Sequence, residues 1–354
     1  KHVKKMIPKV SISGAISLPN ALKKGKSGSF TPCHPAPDDI AVLQYTGGTT
    51  GVAKGAMLSH SNLVANMMQA GELFPNFGIK QAEDVFIFPL PLYHIYAFIM
   101  SAVSLSQGNH GVLIPNPRDL DAFVAEMSKW KFNGITGLNT LFVGLCNHEG
   151  FRKLDFSHLK LTLSGGMALT EAAANRWKEV TGCVVSEGYG LTETSPCVSI
   201  NPAGKQKIGT IGIALPSTEI CLKDDEGNIV DAIGERGELC VRGPQVMKGY
   251  WQRQEATDEM IDSEGWLATG DVAIATDDGY LKIVDRKKNM ILVSGFNVYP
   301  NEIEDVVTSH PDVLECAAIG VPDQKSGEAI KVFVVPSKAD LSTDELKAFL
   351  KTVL

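Results

Sequence analysis

Short apolar runs alternate with amphipathic stretches along the first two-thirds of the chain. "IAVLQYT" predicts a strand that enters a Gly-rich loop. "SHSNLVANMMQAGEL" predicts a helix with Ser59 or Ser61 near its cap. "RDLDAFVAEMSKWK" and "NTLFVGLCNH" read as helices on either side of the short strand "GITGL". "LKLTLSGG" is a strand ending in a Gly pair, and "TEAAANRWKEVTG" a helix closed by Gly182. "VVSEGYGLTE" is a further strand-to-loop transition. This β-α-β-α rhythm predicts an α/β fold with a mostly parallel sheet. Ligands of such sheets sit beyond the carboxyl ends of the strands. The Gly-rich strand ends at 46–51, 164–166 and 188–190 are therefore expected to face one crevice.

From about residue 205 the texture changes to short β runs with turn signals at "DDEGN" and "DDG". The basic run "DRKKNM" then connects to "NEIEDVVTSHP", which is helical, to the strands "VLECAAIGV" and "AIKVFVVP", and to a last helix. The expected organisation is a large domain over 1–286, α/β over 1–204 and β-rich over 205–286. A small, mobile α+β lobe over 287–354 follows. The last helix, "LSTDELKAFLKTVL", opens on the capping box Ser342/Glu345 and has no stop signal. The first residue is not Met. Both ends read as truncations.

No Asp, Glu, Lys or Arg occurs from Val85 to Ile114. A spanning helix needs about 20 apolar residues. Pro89, Pro91 and His94 interrupt the segment, so a buried strand, a "PLPLYH" turn and a buried helix explain it better. Composition agrees with a globular protein: 44% of the 354 residues are hydrophobic and 21% charged. The net charge of −7 argues against nucleic acid as a partner. Seven cysteines lie at 33, 146, 183, 197, 221, 240 and 316 with no C-x-x-C pair, which fits a reducing, cytoplasmic compartment.

Several segments carry candidate chemistry. In "QYTGGTTGVAKGAML", Gly lets backbone amides approach an anion, Thr adds hydroxyls and Lys54 a positive charge. The P-loop motif G-x-x-x-x-G-K-[ST] does not fit, because Ala53 precedes Lys54 and Gly55 follows it. A phosphate loop and a flexible Gly/Thr turn both fit these residues. "GYGLTETSP" places Tyr189, Thr192 and Glu193 at a strand end, suited to a base, a phosphate and a hard cation, or to a polar turn. In "GWLATGD", Asp271 suits either a ribose or an Asx turn.

In this order, these segments and "DRKKNMILVSGFNVYPNEIE" resemble the adenylate-forming acyl-CoA synthetase superfamily over nearly the whole chain. Residues 265–288, "GWLATGDVAIATDDGYLKIVDRKK", resemble the signature of fatty acyl-CoA synthetases. "GLNTLF" and "VDRKKNMILVSGFNVYPNEIEDVV" resemble the bacterial members that take long-chain fatty acids. The resemblance implies that a carboxylate attacks the α-phosphate of ATP and that coenzyme A then displaces AMP, with Mg²⁺ as cofactor. It implies that Thr46, Gly48, Thr49, Thr50, Gly51 and Lys54 cradle the β- and γ-phosphates. Gly188 and Tyr189 would meet adenine, Thr192 the α-phosphate, and Glu193 the Mg²⁺. Asp271 and Arg286 would hold the ribose, and His94 would pack by the reacting carboxylate. Gly165 and Gly166 would let substrate pass, Gly295 and Asn297 would face the CoA path, and Lys288 would be the hinge.

The chain departs from the family's pattern at Gly47, where many members have Ser, at Ala53, where many have Pro, and in its last residues. No P-K-[ST]-x-x-G-K-like motif is present, and Lys347 and Lys351 do not match its lysine. The expectation is weak adenylation by this chain. Activation of another carboxylate, or nucleotide binding without turnover, are the competing readings. A homodimer and a peripheral contact with the inner face of the membrane are left open by the sequence.

Overall fold

A computed structural model describes residues 12–46, 53–294, 296–323, 325–338 and 341–353. The chain divides into two units, Lys1–Ala36 and Pro37–Leu354. Among its described residues the first contains one helix, α1 (Leu18–Lys26), with Pro19 in its first turn and three lysines in its last. The sequence reading assigns no element to this stretch.

The second unit starts with an antiparallel pair, β1 (Ile40–Thr46) and β2 (Lys54–Ser59). The strand read from "IAVLQYT" therefore folds back as a hairpin rather than joining the parallel sheet. α2 (His60–Gly71) follows directly. Ser59 is its N-cap, in a reciprocal box with Asn62. The parallel core then builds up as β3 (Val85–Phe88), α3 (Ile95–Ser106), β4 (His110–Leu113), α4 (Leu120–Met127), β5 (Gly134–Gly137), α5 (Asn139–Asn147), β6 (Leu161–Ser164), α6 (Glu171–Thr181) and β7 (Val185–Gly190). Gly182 closes α6 in the left-handed conformation. β8 (Cys197–Ile200) and β9 (Ile213–Ala214) complete a seven-stranded sheet in the order β4-β3-β5-β6-β7-β8-β9. Pairing is parallel from β4 to β7 and antiparallel beyond. β5 and β6 are buried along their whole length, as expected of central strands covered on both faces.

The β-rich region is a four-stranded antiparallel sheet of β10 (Glu219–Lys223), β11 (Arg236–Arg242), β12 (Leu267–Ala275) and β13 (Leu281–Arg286), with α7 (Gln254–Asp258) in the β11–β12 connection. "DDG" turns the chain between β12 and β13, as its residues predict. The last sheet, in the order β15-β14-β17-β16, contains β14 (Ile291–Val293), β15 (Phe296–Val298), β16 (Val313–Asp323) and β17 (Gly327–Pro336), with α8 (Pro300–Thr308) and α9 (Thr343–Val353). Its start docks on β13. The Asn301 amide donates to Asp285 at 2.9 Å, and the Arg236 guanidinium lies over the Tyr299 ring. Among the described residues, no helix is long and apolar enough to cross a membrane. The charge-free 85–114 segment is β3, a turn, α3 and β4, as its prolines predict.

Candidate active site

β6 and β7 end side by side on the sheet, and their Gly-rich exits open into a cavity of about 890 Å³. That lies near the top of the ~300–1,000 Å³ range of small-molecule sites. Thr46 at the end of β1 lines the same cavity, as do Gly165, Gly166 and Gly188. The three strand ends thus converge as the pattern predicts. Gly47–Val52 lie outside the described residues, and with them Gly48, Thr49, Thr50 and Gly51.

After β7 the chain makes a short 3₁₀ turn, Thr192–Thr194. Gly190 permits this turn: a Cβ there would overlap the Pro196 carbonyl. The turn buries Glu193 at 8% exposure and presents it, with Thr192, to the cavity. A buried carboxylate needs a partner. Tyr250 supplies one, its hydroxyl donating to Glu193 Oε1 at 2.6 Å. Residues 247–251 reach this place by running along β2. Amide-to-carbonyl bonds join Met57 to Gly249, Lys248 to Met57 and Trp251 to Gly55. The Met247 amide donates to the Glu193 carbonyl at 2.8 Å. Lys54 lies outside the cavity wall, with its ammonium 5.0 Å from the Tyr250 ring centre. Burial, then the Glu193 charge, pushes the Tyr250 hydroxyl well above the ordinary tyrosine range, so it stays a donor.

A second polar group comes from the β-rich sheet. Asp271 and Arg286 are direct cross-strand partners on β12 and β13. The guanidinium Nε lies 3.2 Å from Asp271 Oδ1, and the Tyr189 hydroxyl donates to Oδ2 at 2.6 Å. Tyr189, Asp271 and Arg286 all line the cavity, and Asp271 is 4% exposed. Burial raises the Asp271 carboxyl above the usual aspartate range, while the Tyr189 hydrogen bond and Arg286 pull it back. Burial and then Asp271 hold the Tyr189 hydroxyl protonated. Gly270 takes a positive φ of 74°, and its amide donates to Glu238 at 3.0 Å, which turns Asp271 inward.

The wall opposite these groups is apolar. Phe74, Ile99, Met100, Leu161, Leu163 and Leu215 line it, and all six belong to the core cluster between α2, α3 and the sheet. His94 stands at its edge as the N-cap of α3. Its Nδ1 accepts from the Tyr96 amide at 3.2 Å, which leaves the proton of a neutral ring on Nε2. Lys288 lines the cavity too. Asn297 sits exposed on β15, paired with Leu292, and is not part of the wall. Gly295 lies outside the described residues. Sequence reasoning missed Tyr250, the Tyr189–Asp271 bond and the apolar wall. The first two join residues 57 and 82 positions apart. No local pattern marks such pairs.

Comparison with known proteins follows this geometry. Residues 4–251 match the AMP-binding enzyme family, and residues 302–354 match the AMP-binding enzyme C-terminal domain. A long-chain-fatty-acid–CoA ligase of Escherichia coli O157:H7 is 49% identical over 356 aligned residues, covering 100% of this chain and 63% of the relative. The chain thus spans under two-thirds of the length of that curated relative. ATP-bound MatB from Rhodopseudomonas palustris superposes with a TM-score of 0.86 at 31% identity, over 95% of this chain and 66% of that one. An o-succinylbenzoate CoA synthetase from Bacillus subtilis, bound to its acyl-adenylate intermediate, gives 0.79 at 29% identity, over 90% and 64%.

Proposed function

The chain belongs to the AMP-binding enzyme family, and on that premise we propose that it carries the nucleotide and acyl sites of a long-chain-fatty-acid–CoA ligase. The observation that supports this reading is one cavity with two chemistries. Its polar side holds Thr192, Glu193, Asp271 and Arg286, and its far wall is continuous with the hydrophobic core. A nucleotide fits the first and an alkyl chain the second. The identity of 49% to the E. coli ligase supports the same substrate class.

In this proposal the Asp271 carboxylate accepts from the ribose hydroxyls, with Arg286 and Tyr189 fixing its orientation. Gly188 lets the base lie close to the β7 backbone. Thr192 donates to the α-phosphate. Thr46 and Lys54, with Gly48, Thr49, Thr50 and Gly51, face the outer phosphates. The donor set fits Mg²⁺: Glu193 offers a buried carboxylate, a hard oxygen ligand. Among the described residues no cluster of three or more His, Cys, Asp or Glu could hold a metal alone, so phosphate and water oxygens would complete the shell. When bound, the ion would neutralise charge on the phosphates. Tyr250 keeps Glu193 in place for it.

The fatty acid would lie with its tail on the apolar wall and its carboxylate near His94. The His94 Nε2 proton and the N-terminal amides of α3 suit that anion. Gly165 and Gly166 leave space at the exit of β6. For the second step, coenzyme A would approach past Gly295 and Asn297, with Lys288 as the hinge between lobes 1–286 and 287–354. Peripheral membrane contact and a homodimer belong to the same proposal.

The test is ATP–pyrophosphate exchange and equilibrium binding with a panel of palmitate, octanoate, malonate and ferulate. Binding or exchange that favours palmitate supports the reading. Preference for malonate or ferulate, with palmitate inert, would overturn the substrate assignment and keep the nucleotide site.

A further inference from the structure

Cys221 on β10 and Cys240 on β11 are direct cross-strand partners in an antiparallel pair. Both are free thiols. Directly opposed residues of such a pair hold their Cα atoms about 4.5 or 5.5 Å apart. Both spacings fall in the ~4.4–6.8 Å window that a disulfide spans. The two side chains share one face of the sheet, since Ile220, Leu222, Leu239 and Val241 turn the other way into a core cluster.

A second, smaller cavity of about 240 Å³ reaches the pair from the Cys240 side. Cys240, Lys223 and Asp262 line it, and Lys223 bonds Asp262 at 3.0 Å. Cys240 is buried and Cys221 only partly so. Burial raises the Cys221 thiol above the ordinary cysteine value, and the nearby Lys223 ammonium opposes that rise. Burial pushes the Cys240 thiol up to about 12. The two sulfurs differ in exposure: Cys221 is partly open to solvent, and Cys240 is the more deeply held thiol.

We propose that Cys221 and Cys240 form a redox-sensitive pair that small peroxides convert to a cross-strand disulfide. The Cys221 thiolate attacks the peroxide, giving a sulfenic acid and hydroxide (or the corresponding alkoxide). The Cys240 thiol then attacks that sulfur; the S–S bond forms and water leaves. Two thiols are oxidised and one peroxide is reduced. The link would tie β10 to β11, the strand whose Glu238 holds the Gly270 amide beside Asp271. This inference concerns thiol chemistry and does not depend on the substrate assignment.

The experiment uses the chain with Cys33→Ser, which removes the exposed thiol. After graded hydrogen peroxide and alkylation in denaturant, a proteolytic digest is mapped by mass spectrometry. The expected product is a linked 221–240 peptide pair, lighter by two hydrogens and restored by reductant. In Cys33→Ser/Cys240→Ser, dimedone should instead trap a sulfenic acid on Cys221. Full alkylation of both residues at peroxide levels that oxidise other cysteines overturns the proposal. So does oxidation of Cys221 to the sulfinic acid with Cys240 still free. The linked peptide in the Cys33→Ser protein decides the matter if the double variant fails to fold.

Discussion

Glu187 stands on β7 immediately before Gly188 and Tyr189, and it carries a measurable pH signature. Burial pushes its carboxyl from 4.5 up to about 7, although the Gly209 and Leu169 amides oppose the shift. The Gly209 amide donates to Oε1 at 2.8 Å. Because the folded value is the higher one, the folded state keeps a proton that the unfolded chain has lost. Stability therefore falls as pH rises from 4.5 through 7, and the loss is complete above 7. At about 1.36 kcal/mol per pH unit, the penalty grows by roughly 2.5 kcal/mol between pH 5 and pH 8. Solvent at this half-buried position trims the figure to about 2 kcal/mol. Glu187→Gln keeps an oxygen for the Gly209 amide and removes the ionisation. Urea unfolding of both proteins from pH 5 to pH 8 should show nearly equal stability at pH 5, with the variant ahead by about 2 kcal/mol at pH 8. A gap that stays constant with pH, or a wild type ahead at pH 8, refutes the argument.

Asp271→Asn weakens the grip of Arg286 and of the Tyr189 hydroxyl; at about 1.5–3 kcal/mol for a charged hydrogen bond, ATP affinity should fall roughly 10- to 150-fold in a fluorescent-nucleotide titration. Tyr250→Phe removes the hydroxyl that orients Glu193, so the Mg²⁺ concentration for half-maximal ATP binding should rise at least about tenfold, with little change in metal-free affinity. Met100→Trp fills the apolar wall, and calorimetry should show palmitate losing at least about tenfold more affinity than octanoate, near 1.4 kcal/mol of selectivity.

Much of the architecture was legible because it is periodic. β5 and β6 are short apolar runs closed by Gly, and α6 runs from a Thr cap to Gly182. The cavity was legible in part, because Gly-rich strand ends signal where backbone meets ligand. β1 was legible as a strand, but its antiparallel pairing with β2 was not, because "KGAML" reads as part of the loop. Asp271 and Arg286 were both named as candidates from the sequence, yet their contact follows from the β12–β13 register, which a one-residue slip would abolish. Tyr250 was invisible because its role depends on 247–251 tracking β2.

Helix α2 buries amides alongside its apolar Leu63, Met67 and Ala70. It buries Asn62, Asn66 and Gln69, while Val64 and Met68 face outward. Asn62 donates to the Pro244 and Val246 carbonyls, Asn66 to Cys197, and Gln69 to Pro216, each at 2.7–2.9 Å. Unlike greasy contact, such bonds have direction, so the helix cannot rotate or slide without breaking several at once. The same helix carries Ala70 in its last turn and leads to Phe74, both on the apolar wall. The wall is thus held in register by amides rather than by packing alone. The cost is intolerance: truncating one of these amides leaves a part-buried carbonyl without its donor, a loss that apolar packing cannot make good.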